Sequence, residues 1–177
     1  HTPYIRPLVQ PKFRREKKGL TPAERGTATH LVLQYLDLQN LDVPGQVEKL
    51  RLEAKLTAEQ AAAVDVPALR RFLESPLAEE MRQAKTAARE YRFTVLMPAR
   101  DYDPAAAEED SILLQGVVDC WFETPKGVTV VDFKTDFVQT EEDVAQHAEL
   151  YRGQLAAYSL ALERVLEKAV TRKALYF

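Results

Sequence analysis

The stretch over residues 116–136, GVVDCWFETPKGVTVVDFKTD, constrains this chain more than any other. Residues 112–122 and 128–133 are rich in β-branched and aromatic types, which suit strands. Between them, Thr124-Pro125-Lys126-Gly127 is a turn signal, so the stretch predicts a β-hairpin. If Thr124 pairs with Gly127, Asp119 lies directly opposite Asp132. If the turn centres on Lys126 and Gly127, Asp119 faces Lys134 instead. Side chains alternate along a strand with a period of two. Either register therefore puts Asp119, Asp132 and Lys134 on one face, and only a three-residue loop would break the arrangement.

Cross-strand partners hold their Cβ atoms roughly 4.5–5.5 Å apart. Two ionised carboxylates that close repel, and one is pushed to take a proton. A divalent cation between them removes the conflict, and carboxylates are hard ligands suited to Mg²⁺ or Mn²⁺. Lys134, two residues past Asp132, would then sit just outside the ion, able to offset charge on a phosphate or orient a water. The competing reading is a hairpin with ordinary solvated charges. Asp132 lies inside the apolar run VTVVDF and Asp119 inside ILLQGVVDCWF, and charges within buried runs must be paired or metal-bound. On spacing alone both readings stand.

Upstream, residues 1–20 form an irregular segment or linker, with a basic run over 12–18 that either contacts a DNA backbone or is simply solvated. A helix starts at Thr21, where Thr-Pro-Ala-Glu is a capping box, and should run to about residue 38. Gly26 and His30 share a face of it, four residues apart. Taken alone, His30 is as well explained by a helical histidine with no chemical role. Residues 45–85 read as short helices, with starts at Thr57, Asp65 and Ser75. Val47, Leu50, Leu52, Leu56, Leu69, Phe72, Leu73 and Leu77 are their packing positions, and the segment carries no evident chemistry.

A strand follows over 90–97, with Tyr91, Phe93 and Val95 on one side and Glu90 on the other. Residues 101–110 form a loop. After the hairpin, 141–168 reads as a long amphipathic helix with Leu155, Leu162 and Val165 or Leu166 on its packing stripe. Gln154 and Tyr158 share a face at i, i+4. A last strand is expected over 171–177. The order implies an α/β fold, a small mixed sheet flanked by helices. It divides into residues 1–20 and a single domain over 21–177, mainly helical over 21–88 with the core sheet and helix over 89–177.

Composition narrows the function classes. A length of 177 residues suits one core rather than two. The net charge of −3 gives no global basic field, so any nucleic-acid contact must be local. No signal peptide or apolar run of about 18 residues is present, which argues against a membrane span and leaves a cytoplasmic location as the default. The single Cys120 cannot by itself hold an iron–sulfur cluster or a four-cysteine zinc site. There is no G-x-x-x-x-G-K-[ST] loop, hence no ATP site in these residues. The start at His1 and the end inside a strand-like run suggest a domain cut from a longer polypeptide.

Several motifs together carry a family resemblance. GVVD followed by VVDFKTD resembles two core motifs of the PD-(D/E)XK nuclease superfamily, in its RecB-like branch. Gly26 and His30 resemble that branch's G-x-x-x-H motif, and Gln154 with Tyr158 its Q-x-x-x-Y motif. Arg89 and Glu90, in REYRF, resemble its first core strand with an acidic residue. Four motifs in the right order cover essentially the whole chain. The segment EKKGLTPAERGTATHLVLQYLDL is most similar to AddA-type C-terminal nuclease domains of bacterial AddAB helicase–nucleases.

The resemblance implies a restriction-endonuclease-like core and metal-dependent hydrolysis of DNA phosphodiesters. It implies that His30, Asp119 and Asp132 bind Mg²⁺ (or Mn²⁺) through side chains and Phe133 through its backbone carbonyl. Lys134 is implied to position the nucleophile and stabilise transition-state charge. Thr135, Asp136, Gln154, Tyr158 and Glu90 are implied to contact DNA or support the metal and its water. Nothing looks like a base-reading element, so low sequence specificity is expected. The expected substrate is single-stranded DNA or DNA ends delivered by attached helicase domains, during double-strand-break repair and recombination. The expected partner is an AddB-type protein. The competing expectation is a catalytically inactive nuclease-fold module that binds DNA or another protein of the complex; such copies typically lose an Asp or the Lys, which are all present here.

Overall fold

The computed structural model describes residues 20–101, 103–134 and 141–176, with side chains of the last helix described from Leu155 onward. Thr135, Asp136, the basic run over 12–18 and the side chain of Gln154 lie outside the described residues.

Helix α1 spans Pro22–Tyr35. Thr21 caps it: the hydroxyl accepts from the Glu24 N–H, and the Glu24 carboxylate accepts from the Thr21 N–H at 2.7 Å. Four short helices follow: α2 Val43–Leu52, α3 Ala58–Ala63, α4 Val66–Leu73 and α5 Pro76–Gln83. Each is started by a side-chain cap, from Asp42, Thr57, Asp65 and Ser75 respectively. The expected starts at Thr57, Asp65 and Ser75 are thus where the structure has them. Among the expected packing residues of this segment, Leu52 is instead exposed, at the last turn of α2.

Among the described residues, four strands form one sheet in the order β1-β2-β3-β4. Strand β1 (Ala87–Pro98) pairs antiparallel with β2 (Ser111–Thr124), and β2 pairs antiparallel with β3 (Gly127–Phe133). Helix α6 (Glu141–Leu166) then crosses over to β4 (Val170–Tyr176), which runs parallel to β3. A parallel neighbour requires such a crossover. The fold is therefore α/β with a mixed sheet, in agreement with a restriction-endonuclease-like core. No helix among the described residues is long and apolar enough to cross a membrane.

Each face of the sheet carries its own core. On one, α1 to α5 pack Val32, Leu36, Leu69, Phe72 and Leu73 against Cys120, Phe122, Val131 and Phe133. On the other, α6 packs Leu155, Ala161 and Leu162 against Phe93, Val118, Trp121, Val128 and Val130. Leu166 joins this second core, whereas Val165 is exposed, so the stripe of α6 runs through 155, 162 and 166. Fully burying one such aliphatic or aromatic side chain contributes about 1.5–3 kcal/mol. These two layers enclose β2 and β3 between helices, and the candidate site is built at the C-terminal end of β3 and the adjoining interior of β2.

Candidate functional site

The hairpin closes as Thr124 opposite Gly127, and the ladder continues through Cys120 opposite Val131. Gly127 has φ +128, a backbone conformation that favours glycine, at the end of the two-residue turn. Of the two registers open to the sequence, this is the one that brings Asp119 across from Asp132. The regular ladder stops one step short of that level. There the Asp119 side chain takes over: its Oδ2 accepts from the Phe133 N–H at 2.7 Å.

Strand alternation breaks at the same level. Val118 and Trp121 belong to the core under α6, while Cys120 belongs to the core under α1 to α5. Strict alternation would put 118 and 120 on one face and 121 on the other. Strand β1 breaks in step: Ala88 and Tyr91 both pack on the α6 side. Between them Glu90 has φ +49, the left-handed region that non-glycine residues rarely occupy. The pairing register is unchanged across the break, from Arg89 opposite Cys120 to Tyr91 opposite Val118. The uniform alternation expected for the hairpin is thus corrected at one point. Asp132 and Lys134 line a recess on the α6 side, whereas Asp119 sits at the break and reaches α1.

Helix α1 supplies His30. Its Nε2 lies 2.9 Å from Asp119 Oδ1. The helix is fastened to the sheet beside this contact, because Nη1 of Arg89 donates to the carbonyls of Leu33, at 3.1 Å, and Leu36. Thr29 ties α1 to the start of α4 instead, its hydroxyl accepting from the Asp65 N–H at 3.0 Å.

Lys134 completes the group. Its Nζ lies 2.6 Å from Asp132 Oδ2, and the Lys134 N–H donates to the Tyr176 carbonyl of β4 at 2.8 Å. Beneath it, Phe133, Phe72 and Tyr176 pack edge to face, with Phe72 centroids 5.1 Å and 5.2 Å from the other two rings. Beside Asp132 and Lys134 opens a recess of about 60 Å³, lined also by Val117, Val118, Val131, Leu155 and Tyr158. The Tyr158 ring meets Phe93 edge to face at 5.2 Å. Gly116 makes that contact possible, since a Cβ there would fall 2.7 Å from Phe93 Cζ and 2.8 Å from Tyr158 Cζ.

The electrostatics follow from this crowding. Burial pushes the Asp132 carboxyl up, and the adjoining Asp119 adds to the rise against the pull of Lys134; the result is about 6. Burial also pushes Asp119 up, but hydrogen bonding with His30 and Asp132, the His30 charge and the Phe133 N–H together hold it below the ordinary value. His30 is raised, chiefly by its hydrogen bond to Asp119 and against burial, with further contributions from the charges on Glu90 and Asp132. The two acids share one site and titrate as a pair, one staying ionised while the other keeps a proton longer.

Such a pair is what a divalent cation relieves, and an imidazole with two carboxylates is a donor set that suits one. The donors nevertheless have other partners: His30 meets Asp119, Asp119 accepts from the Phe133 N–H, and Asp132 pairs with Lys134. Among the described residues no three His, Cys, Asp or Glu side chains are arranged around a common ion position. The chemistry of the set fits a metal, and loading it requires these side chains to exchange partners.

Of the residues singled out in the sequence, His30, Asp119, Asp132 and Lys134 are brought together directly, and Phe133 is tied in through its N–H. Glu90 acts on His30 by charge, and Tyr158 reaches the recess wall. The buried Cys120 thiol is pushed up to about 12 by burial and is inert packing. Two further residues, Gly116 and Arg89, gain roles that the sequence does not assign. Gly116 carries a readable signal, a glycine inside a strand, which marks a close approach. Arg89 does not, because its contact with α1 depends on the alternation break.

A family model described as the PD-(D/E)XK nuclease superfamily matches residues 4–177 of the chain. The chain is also similar to the A subunits of several ATP-dependent helicase/nucleases. That of Acetivibrio thermocellus is 42% identical over 178 residues, covering 98% of this chain and 14% of the relative. Those of Ruminiclostridium cellulolyticum and Bacillus cytotoxicus are 38% and 39% identical over 173 and 181 residues, each covering 96% of this chain and 14% of the relative. The chain therefore spans about one-seventh of the length of these curated relatives.

Proposed function

Because this chain belongs to the PD-(D/E)XK nuclease superfamily, we propose that it is a metal-dependent DNA nuclease domain that hydrolyses phosphodiesters with little sequence preference. The observation that carries this reading is the pair of contacts His30–Asp119, at 2.9 Å, and Asp132–Lys134, at 2.6 Å, set side by side where the hairpin ladder ends. The residues that would hold the cation are His30, Asp119 and Asp132, with the Phe133 carbonyl. A divalent ion there, Mg²⁺ or Mn²⁺, supplies charge against the phosphate and a water of lowered pKa.

The chain's own residues do the rest. His30 orients Asp119, whose other oxygen is fixed by the Phe133 N–H. Lys134 presents its ammonium at the recess, where it offsets charge developing on the phosphoryl oxygens and orients the attacking water. Tyr158 and the aliphatic wall shape the recess and limit bulk water. Gln154, Thr135 and Asp136 are proposed to support this group or the DNA strand.

The matched relatives are named as helicase/nuclease proteins and are about seven times the length of this chain, so the substrate reading follows from attachment. We propose exonucleolytic cutting of single strands or ends passed on by helicase domains of the same polypeptide, in double-strand-break repair and recombination, with an AddB-type protein as partner.

The test is incubation of the protein with end-labelled linear single-stranded DNA and RNA, with Mg²⁺, Mn²⁺ or chelator. Cleavage of DNA that needs metal and is lost in Asp132→Ala and Lys134→Ala supports the reading. Tight DNA binding with no metal-dependent cutting would instead make the domain a binding module.

A further inference from the structure

Arg89 lies on the strand that the catalytic group does not use, yet its side chain crosses to the helix that carries His30. We propose that Arg89 is a positioning residue, which sets the roll and height of α1 so that His30 meets Asp119. This rests on the nuclease reading above.

Three observations carry it. First, α1 has no basic residue in its own last turn. Its final carbonyls lack intrahelical partners, and a cation there is favourable. The Arg89 guanidinium meets that need from outside the helix, donating to Leu33 and Leu36. Second, Leu33 is one turn from His30, so the two attachments lie on the same side of α1. The helix is held at His30 by Asp119, at 2.9 Å, and at Leu33 by Arg89, at 3.1 Å. Two fixed points on neighbouring strands leave α1 neither rotation nor sliding relative to the sheet.

Third, the backbone is bent to allow it. With Tyr91 facing α6, regular alternation would send Arg89 to the α6 side as well. The left-handed Glu90 reverses the strand between them, and Arg89 faces α1 instead. A strained residue placed between the positioning arginine and the rest of the strand is what such a contact requires. Burial draws the guanidinium below its ordinary pKa, against the nearby Asp37 charge, which fits a group enclosed between strand and helix.

The test is a pair of double-mutant cycles on the intact protein. Mn²⁺ affinity is measured by calorimetry for wild type, Arg89→Met, Arg89→Lys, His30→Ala and the combinations. Arg89→Met is expected to weaken Mn²⁺ by about 10-fold or more, the size found for residues that orient metal ligands. Arg89→Lys should recover part of the loss. In the His30→Ala background, Arg89→Met should change affinity by less than about 2-fold, because its effect passes through the imidazole. Equal effects with and without His30 would overturn the proposal and leave Arg89 as structural support only. If the wild type takes up no Mn²⁺, the metal reading fails, and the positioning claim is decided separately in metal-free protein. There the stability coupling between His30 and Asp119, from urea midpoints, must disappear in Arg89→Met, or in Arg89→Lys should the methionine variant not fold. Coupling that persists overturns it.

Discussion

Gly116 and Tyr158 occupy one space between them: a Cβ on the glycine would stand 2.8 Å from the tyrosine Cζ. The neighbour on the other side, Phe93, is as close, so neither ring can yield without moving the other. Gly116→Ala should therefore destabilise the protein by about 1–3 kcal/mol, the range for overpacking a filled core. It should also push Tyr158 against the recess beside Asp132 and Lys134. Thermal unfolding and cleavage rates on the same preparation check this; unchanged values for both would mean the rings have another place to go.

Asp132 is a group whose charge opposes folding. Its carboxyl is raised from 3.8 to about 6, so between those values the folded state binds more protons than the unfolded chain. Stability of the metal-free protein then falls as pH rises through that window, and the deficit persists above it. Asp132→Asn removes the deficit and should raise stability by up to about 3 kcal/mol at neutral pH, with no gain below about pH 4. Urea denaturation in chelator at the two pH values gives the answer. A loss of stability at neutral pH would show that the Lys134 ion pair outweighs the burial of the charge.

A cation at this group must displace the proton that Asp132 keeps. Mg²⁺ or Mn²⁺ affinity should accordingly decline as pH falls through about 6, and binding near that pH should release a proton. Calorimetric titrations in two buffers of different ionisation heat measure the release. Equal apparent heats in both buffers at that pH would rule it out.

Lys134 touches Asp132 at 2.6 Å, and the proposed function gives it a charge-stabilising role and no bond to the cation. Lys134→Ala should lower the single-turnover cleavage rate by about 10²–10³-fold, the effect of removing one preorganised charge from a reacting group. Mn²⁺ affinity should change only a few-fold. A parallel collapse of metal binding would place Lys134 in the role of a scaffold for the carboxylates.

The hairpin is legible in the sequence because its turn residues and its apolar runs agree on a register. Helix starts are legible from side-chain caps at Thr21, Thr57, Asp65 and Ser75, where the chemistry is local. The break at Glu90 and Asp119 is not. A glutamate in the left-handed region has no local signature, since glycine or asparagine ordinarily marks such a position. The break accompanies tertiary features that no local pattern encodes: two cores on opposite faces and the contact of Arg89 with α1. Leu52 and Val165 show the same limit, because an apolar residue at the end of a helix reads as core whether or not anything covers it. The convergence of His30 on Asp119 is readable through family resemblance alone, as no spacing rule links α1 to β2.

Strand β4 has a consequence for how the protein comes into being. It is the sheet neighbour of β3, and its Tyr176 carbonyl receives the amide of Lys134. A nascent chain that has emerged only as far as α6 has the acids and the lysine but lacks the strand that anchors the lysine's backbone. The backbone geometry around Lys134 is therefore complete only once the whole crossover through α6 to β4 has been made.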